Sequence, residues 1–131
     1  MPKKAGEKKT ILLVEDDPFL HKVLKQRLEK ETPYNIVVAT DGDMALEKAA
    51  EIKPNLVLLD IILPKRSGFE VLGEMRKNAD LKATPVVVLS NLGQQEDIAQ
   101  MEKLGIKDYL VKADYSLSQM VEKIKEHAEA V

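Results

Sequence analysis

The chain has 131 residues, of which 44% are hydrophobic and 32% charged, with a formal net charge of -2 and no cysteine. That length fits one domain able to bury roughly two thirds of its unfolded surface, and the composition is too apolar for default disorder. The charge balance gives no case for direct binding to nucleic acid or anionic membranes, a disulfide framework or thiolate metal site is excluded, and no stretch has the apolar length of a membrane span or signal peptide. The expectation is a soluble, cytoplasmic domain.

Residues 1–9 are polar and aperiodic and read as a flexible basic leader, most simply a solubilising tail, with the folded domain expected over 10–131. Ile11-Leu12-Leu13-Val14 is the first strand. Asp17-Pro18 then supplies a helix N-cap and a proline at the first helical position, and Phe19, Leu20, Val23, Leu24 and Leu28 recur at helical spacing as the inward face. Thr32-Pro33 breaks that helix. Ile36 to Ala39 form the second strand, and Asp41-Gly42 turns into a helix with Ala45, Leu46, Ala49 and Ile52 inward, ended by Pro54.

Residues 55–60 read as the third strand, followed by a loop with Pro64, Ser67 and Gly68 and a helix packed through Phe69, Leu72 and Met75. Thr84-Pro85 opens the fourth strand. The fourth helix uses Ile98, Met101 and Leu104 and stops at Gly105, a left-handed cap. Tyr109 to Val111 make a short fifth strand, and the last helix, from about Ser116, buries Leu117, Val121, Ile124 and Ala128. Five strand–helix units without a break imply an α/β domain with a parallel sheet covered on both faces.

Four of the strands are apolar on both faces, as buried parallel strands are, and each is followed by a polar residue: Glu15-Asp16, Asp60, Ser90 and Lys112. Ligands of open parallel sheets bind beyond the carboxyl ends of the strands. Taken alone, Glu15-Asp16 reads as a solvated strand end; with Asp60 and Lys112 in register it reads as a site. Neighbouring first and third strands would crowd three carboxylates together, and a hard divalent cation, Mg²⁺ first, relieves their repulsion while leaving coordination positions for phosphate oxygens. Lys112 and Ser90 can hold the remaining oxygens of a phosphoryl group, and a carboxylate can attack phosphorus once charge on that group is neutralised. Asp17 is a helix cap rather than a ligand, and His21 and His127 read as exposed helix residues with no further ligand beside them.

The ordered set Leu12-Leu13-Val14-Glu15-Asp16-Asp17, Asp41-Gly42, Pro54 to Asp60, Pro64 with Gly68, Thr84-Pro85 to Ser90, and Gly105 with Asp108-Tyr109-Leu110-Val111-Lys112 resembles a response-regulator receiver domain of bacterial two-component signalling, of the chemotaxis-regulator kind. The resemblance runs from about Lys9 to Ala128. It implies a single doubly wound, flavodoxin-like sheet of five parallel strands in the order 2-1-3-4-5, with five helices on its two faces. It implies Asp60 as phosphoacceptor, and Asp16, Glu15 (often through water) and the backbone carbonyl of Ile62 as partners of Asp60 in holding Mg²⁺ or Mn²⁺. Ser90 and Lys112 would contact the phosphoryl group, with Ser90 and Tyr109 forming the switch. The donor would be a histidine kinase or phosphotransfer protein, and the chain would catalyse its own aspartyl phosphorylation and dephosphorylation without being a conventional turnover enzyme. The readout face would be the fourth helix, fifth strand and fifth helix, serving a partner protein, self-association or a phosphorelay, with no attached output domain expected after the fifth helix.

Three positions depart from the family pattern. Ala113 stands where a cis proline usually follows the lysine, and a cis Lys112–Ala113 bond is the expectation carried over. Asn91 stands where a small residue is common, beside the pocket, and partly gates donor access; Ser67 replaces a common Asp before Gly68. Ile62 and Leu92, two residues past Asp60 and Ser90, are apolar flanks that exclude water, so a long-lived phospho-form is expected. The alternatives from other classes are a pseudo-receiver that binds a protein without phosphorylation, and a flavin binder or phosphatase on a similar sheet. Against the last two, the first strand is followed by contiguous acids instead of a Ser/Thr/Gly-rich phosphate loop or two Asp spaced by one residue.

Overall fold

A computed structural model describes residues 8–131; the expected leader lies outside the described residues except for Lys8 and Lys9. Lys9 is docked, its Nζ donating to the Ala128 carbonyl at 2.9 Å and lying 5.9 Å from the centroid of the Tyr34 ring. The elements are β1 (Thr10–Val14), α1 (Pro18–Glu31), β2 (Asn35–Ala39), α2 (Gly42–Ile52), β3 (Leu56–Leu59), α3 (Gly68–Lys77), β4 (Val86–Ser90), α4 (Gln95–Leu104), β5 (Asp108–Val111), a 3-10 turn (Lys112–Asp114) and α5 (Leu117–Glu129). All strand pairs are parallel, in the order β2-β1-β3-β4-β5.

Successive strand residues face opposite sides, and here each side has its own core. Leu12, Val14, Val57, Leu59, Val86 and Val88 pack with Ala45 and Ala49 of α2, Val71, Leu72 and Met75 of α3, and Met101 of α4. Ile11, Leu13, Leu56, Leu58, Val87 and Leu89 pack with Leu24 and Leu28 of α1 and Val121, Ile124 and Ala128 of α5. Parallel strands need a crossover between them, and these helices supply it on both faces.

The starts of α1, α2 and α5 are where the sequence puts them. Asp17 Oδ1 accepts from Phe19 N–H at 2.9 Å and Leu20 N–H at 3.2 Å, and Asp41 Oδ1 accepts from Met44 N–H at 2.7 Å. Ser67 with Glu70 and Ser116 with Gln119 form capping boxes. Helix ends differ more. Lys53 closes α2 in the left-handed region (φ 46°) ahead of Pro54, while Gly105 after α4 has φ 86° and ψ 100°, positive but outside the left-handed helical region expected of it. Its carbonyl is turned toward Arg76, whose Nη2 donates to it at 2.6 Å.

Phe19 corrects another expectation. It is 75% exposed, and the packing face of α1 begins instead with Leu20 and Leu24.

Gly73, inside α3, has no heavy atom within 4 Å of where a Cβ would lie. Gly73→Ala should therefore stabilise the fold by about 0.5–1 kcal/mol through helix propensity, measured as a rise in the urea midpoint at constant slope.

Candidate functional site

Strand register brings the polar strand-end residues together. Val14 pairs with Leu59, Leu59 with Val88, and Ser90 with Val111, so the next residues of β1, β3 and β5 project from one end of the sheet beside Ser90. The Asp60 N–H donates to the Val14 carbonyl at 3.1 Å, extending the β1–β3 pairing to the acids themselves. Glu15, Asp60 and Ser90 are buried, Lys112 is half-buried and Asp16 is exposed.

Lys112 sits between two carboxylates. Its Nζ is 2.7 Å from Glu15 Oε2 and 2.9 Å from Asp60 Oδ2. The other oxygens are held by backbone: Glu15 Oε1 accepts from Asp17 N–H at 3.2 Å, and Asp60 Oδ1 from Ile62 N–H at 3.3 Å. Burial pushes the Glu15 carboxyl up to about 7, the Asp60 charge adds to the rise, and Lys112 works against it. Burial alone would lower Lys112, but its hydrogen bonds to Glu15 and Asp60 outweigh that and raise it. One ammonium facing two acids keeps its charge despite burial, whereas the rise at Glu15 comes first from burial, which the shared Lys112 offsets only in part.

Glu15, Asp16 and Asp60 each offer a carboxylate oxygen, all within 4.8 Å of one another. This all-oxygen, strongly anionic donor set fits a hard divalent cation. Ile62, the expected carbonyl donor, lies in the loop after β3 with its side chain 58% exposed.

Ser90 and Tyr109 meet at the backbone of one residue, Leu92. Ser90 Oγ accepts from Leu92 N–H at 3.4 Å, and the Tyr109 hydroxyl donates to the Leu92 carbonyl. Tyr109 is half-buried, and its phenol is pushed up to about 12 by burial, with Asp97 and Asp60 adding to it. Asn91 is exposed and Leu92 half-buried at the pocket's edge.

The expected cis Lys112–Ala113 bond is not found: no peptide bond among the described residues is cis. Without proline the cis form costs about 3–4 kcal/mol, and the 3-10 turn from Lys112 to Asp114 delivers the ammonium through a trans bond. His127, expected to be exposed, is half-buried, with Nε2 2.9 Å from Asp108 Oδ2; that pairing joins residues on different elements and leaves no mark in local spacing. Arg76 was likewise unmarked. Its guanidinium donates to the carbonyls of Leu81, Lys82 and Thr84 before β4 and of Leu104 and Gly105 at the end of α4, at 2.6–3.3 Å.

The family model described as "Response regulator receiver domain" matches residues 11–125. The probable transcriptional regulator ycf27 of Cyanophora paradoxa is 39% identical over 105 residues, covering 80% of this chain and 42% of that protein. Response regulator Rcp1 of Synechocystis sp. is 36% identical over 121 residues, covering 86% of this chain and 82% of Rcp1. The crystal structure of the Mn²⁺-bound form of Rcp1 matches with a TM-score of 0.77 at 36% identity, over 90% of this chain and 92% of that one. The phosphorylated cyanobacterial phytochrome response regulator RcpA matches with a TM-score of 0.80 at 35% identity, over 94% and 93%. The chain thus spans about two fifths of the length of the ycf27 relatives and most of Rcp1. No helix among the described residues is long and apolar enough to cross a membrane. Strand order, the acidic cluster and these matches agree, and the chain belongs to the response regulator receiver domain family of two-component systems.

Proposed function

We propose that Asp60 accepts a phosphoryl group from a phosphohistidine of a histidine kinase or phosphotransfer protein, and that the modified site drives a switch read on α4, β5 and α5. The observation that carries this reading is the Lys112 ammonium shared between Glu15 and Asp60 at the end of the sheet. An Asp60 carboxylate oxygen attacks phosphorus, the phosphorus–nitrogen bond breaks with its electron pair leaving on the imidazole, and an acyl phosphate remains on Asp60. A bound Mg²⁺ or Mn²⁺ supplies positive charge beside the transferring oxygens. Glu15, Asp16 and Asp60 are its protein side-chain ligands in this reading, with the Ile62 carbonyl beside them; the clustering of the three carboxylates supports the ligand set, and the Mn²⁺-bound form of Rcp1, a relative at 36% identity, supports a divalent cation.

Lys112 then neutralises a phosphoryl oxygen, and the Ser90 hydroxyl donates to another. Ser90 and Tyr109 both bond the backbone of Leu92, one at its N–H and the other at its carbonyl, so redirecting the Ser90 hydroxyl changes what holds that residue and biases the Tyr109 position. The shift in population is limited by the difference in these contacts between the two states.

Incubation with acetyl phosphate and Mg²⁺ should add one phosphoryl group, seen by intact mass, and Asp60→Asn or omission of metal should abolish it. A chain that takes up none from any donor would instead be a protein-binding module. Ile62 and Leu92 present no group that orients water, so the phospho-form should be long-lived. Ile62→Asn should speed its loss severalfold, followed by phosphate release; an unchanged or slower rate would contradict the role of Ile62.

Glu15 adds a pH dependence to the metal-free protein. Its folded value of about 7 lies above the ordinary 4.5, so between these values the folded chain binds more protons than the unfolded one. The stabilisation this gives is complete below about 4.5 and is lost as pH rises through about 7. In chelator, the wild-type urea midpoint should fall over that window relative to Glu15→Gln, which lacks the titrating group.

A further inference from the structure

The loop between β3 and α3, residues 61–67, carries Ile62 and is gripped by the start of α2. Gly42 N–H donates to the Pro64 carbonyl at 3.1 Å, and Arg66 N–H donates to the same oxygen at 2.8 Å. Arg66 Nε meets Asp43 Oδ1 at 2.7 Å and Lys65 Nζ lies 3.7 Å from Asp41 Oδ2. At the loop's far end Gly68 N–H donates to the Ile61 carbonyl at 2.7 Å. Gly42 is buried, and a Cβ built on it would overlap the carbonyl oxygen and Cβ of Arg66.

We infer that Gly42 is a positioning residue for the metal site: its bare Cα lets α2 lie against the loop and hold the Ile62 backbone at the pocket. This rests on the reading of Ile62 as a carbonyl donor. Gly42 does not have positive φ, so Ala acts there through space alone, and as first residue of α2 it would otherwise favour the helix. The side that yields is the loop. The start of α2 is fixed by the Asp41 cap and by buried Ala45 and Ala49, whereas Pro64, Lys65 and Arg66 are all exposed. Displacing the loop moves Ile62, and with it the N–H that bonds Asp60 Oδ1.

The test is calorimetric titration of the full chain with Mg²⁺ alone and Mn²⁺ alone, comparing wild type, Gly42→Ala and Gly73→Ala. Gly42→Ala should bind on the order of tenfold more weakly, as loss of support behind a metal ligand does, and should recover phosphoryl uptake from acetyl phosphate when Mg²⁺ is raised to saturation. Gly73→Ala should bind as wild type. Should Gly42→Ala fail to fold, the charge-neutral pair Asp43→Ala/Arg66→Ala loosens the same brace, with an expected loss of about two- to threefold, the scale of one exposed ion pair. Wild-type affinity in either folded variant overturns the positioning role. Wild type that binds neither ion overturns the metal reading itself, a separate outcome.

Discussion

At the carboxyl end of the sheet one ammonium lies within 3 Å of two buried carboxylates, Lys112 with Glu15 at 2.7 Å and with Asp60 at 2.9 Å. Charges withdrawn from water cost several kcal/mol each unless they meet a partner, so removing Lys112 would strand both carboxylates. The arrangement also leaves surplus negative charge, since Asp16 stands next to it. A pocket held together by attraction yet short of positive charge has room for a cation and for the oxygens a cation brings. Stability and reactivity therefore draw on the same three side chains.

The sheet enforces this meeting. Glu15, Asp60 and Lys112 come from three strands, and pairing of Val14 with Leu59, Leu59 with Val88 and Ser90 with Val111 sets their height along the sheet. A slip of one residue in any of these strands would reverse which side chains face each core, and both cores are filled with branched residues that resist it. The hydrophobic interior thus sets the precision of the charged site at its end.

What could be read in the amino-acid order was what short-range rules govern. Runs of Val, Ile and Leu without alternation marked two-sided strands, and Asp17, Asp41 and Ser116 marked helix starts because a cap is satisfied within three residues; the capping box at Ser67, read only as a loop residue, was missed. The polar residues at the ends of β1, β3, β4 and β5 then pointed to the site. Phe19 escaped that reading because helical periodicity says which face a residue is on, not whether another element covers it. His127 with Asp108, and Arg76 with five carbonyls before β4 and at the end of α4, depend on elements brought together only by the fold. At Lys112–Ala113 the family pattern suggested a cis bond, yet the residue that makes such bonds inexpensive is missing, and the local 3-10 turn does the work of presentation.

The division of each strand between two cores has a consequence for how such a domain can change over generations. Val57 and Leu59 answer to α2, α3 and α4, and Leu56 and Leu58 to α1 and α5. Substitutions accumulating in one layer need compensation only within that layer, because the backbone ladder between them is indifferent to side chains. Surfaces on the two sides of the molecule can therefore diverge at separate tempos, one lineage of contacts being rewritten while the other, and the charged end they share, is left intact.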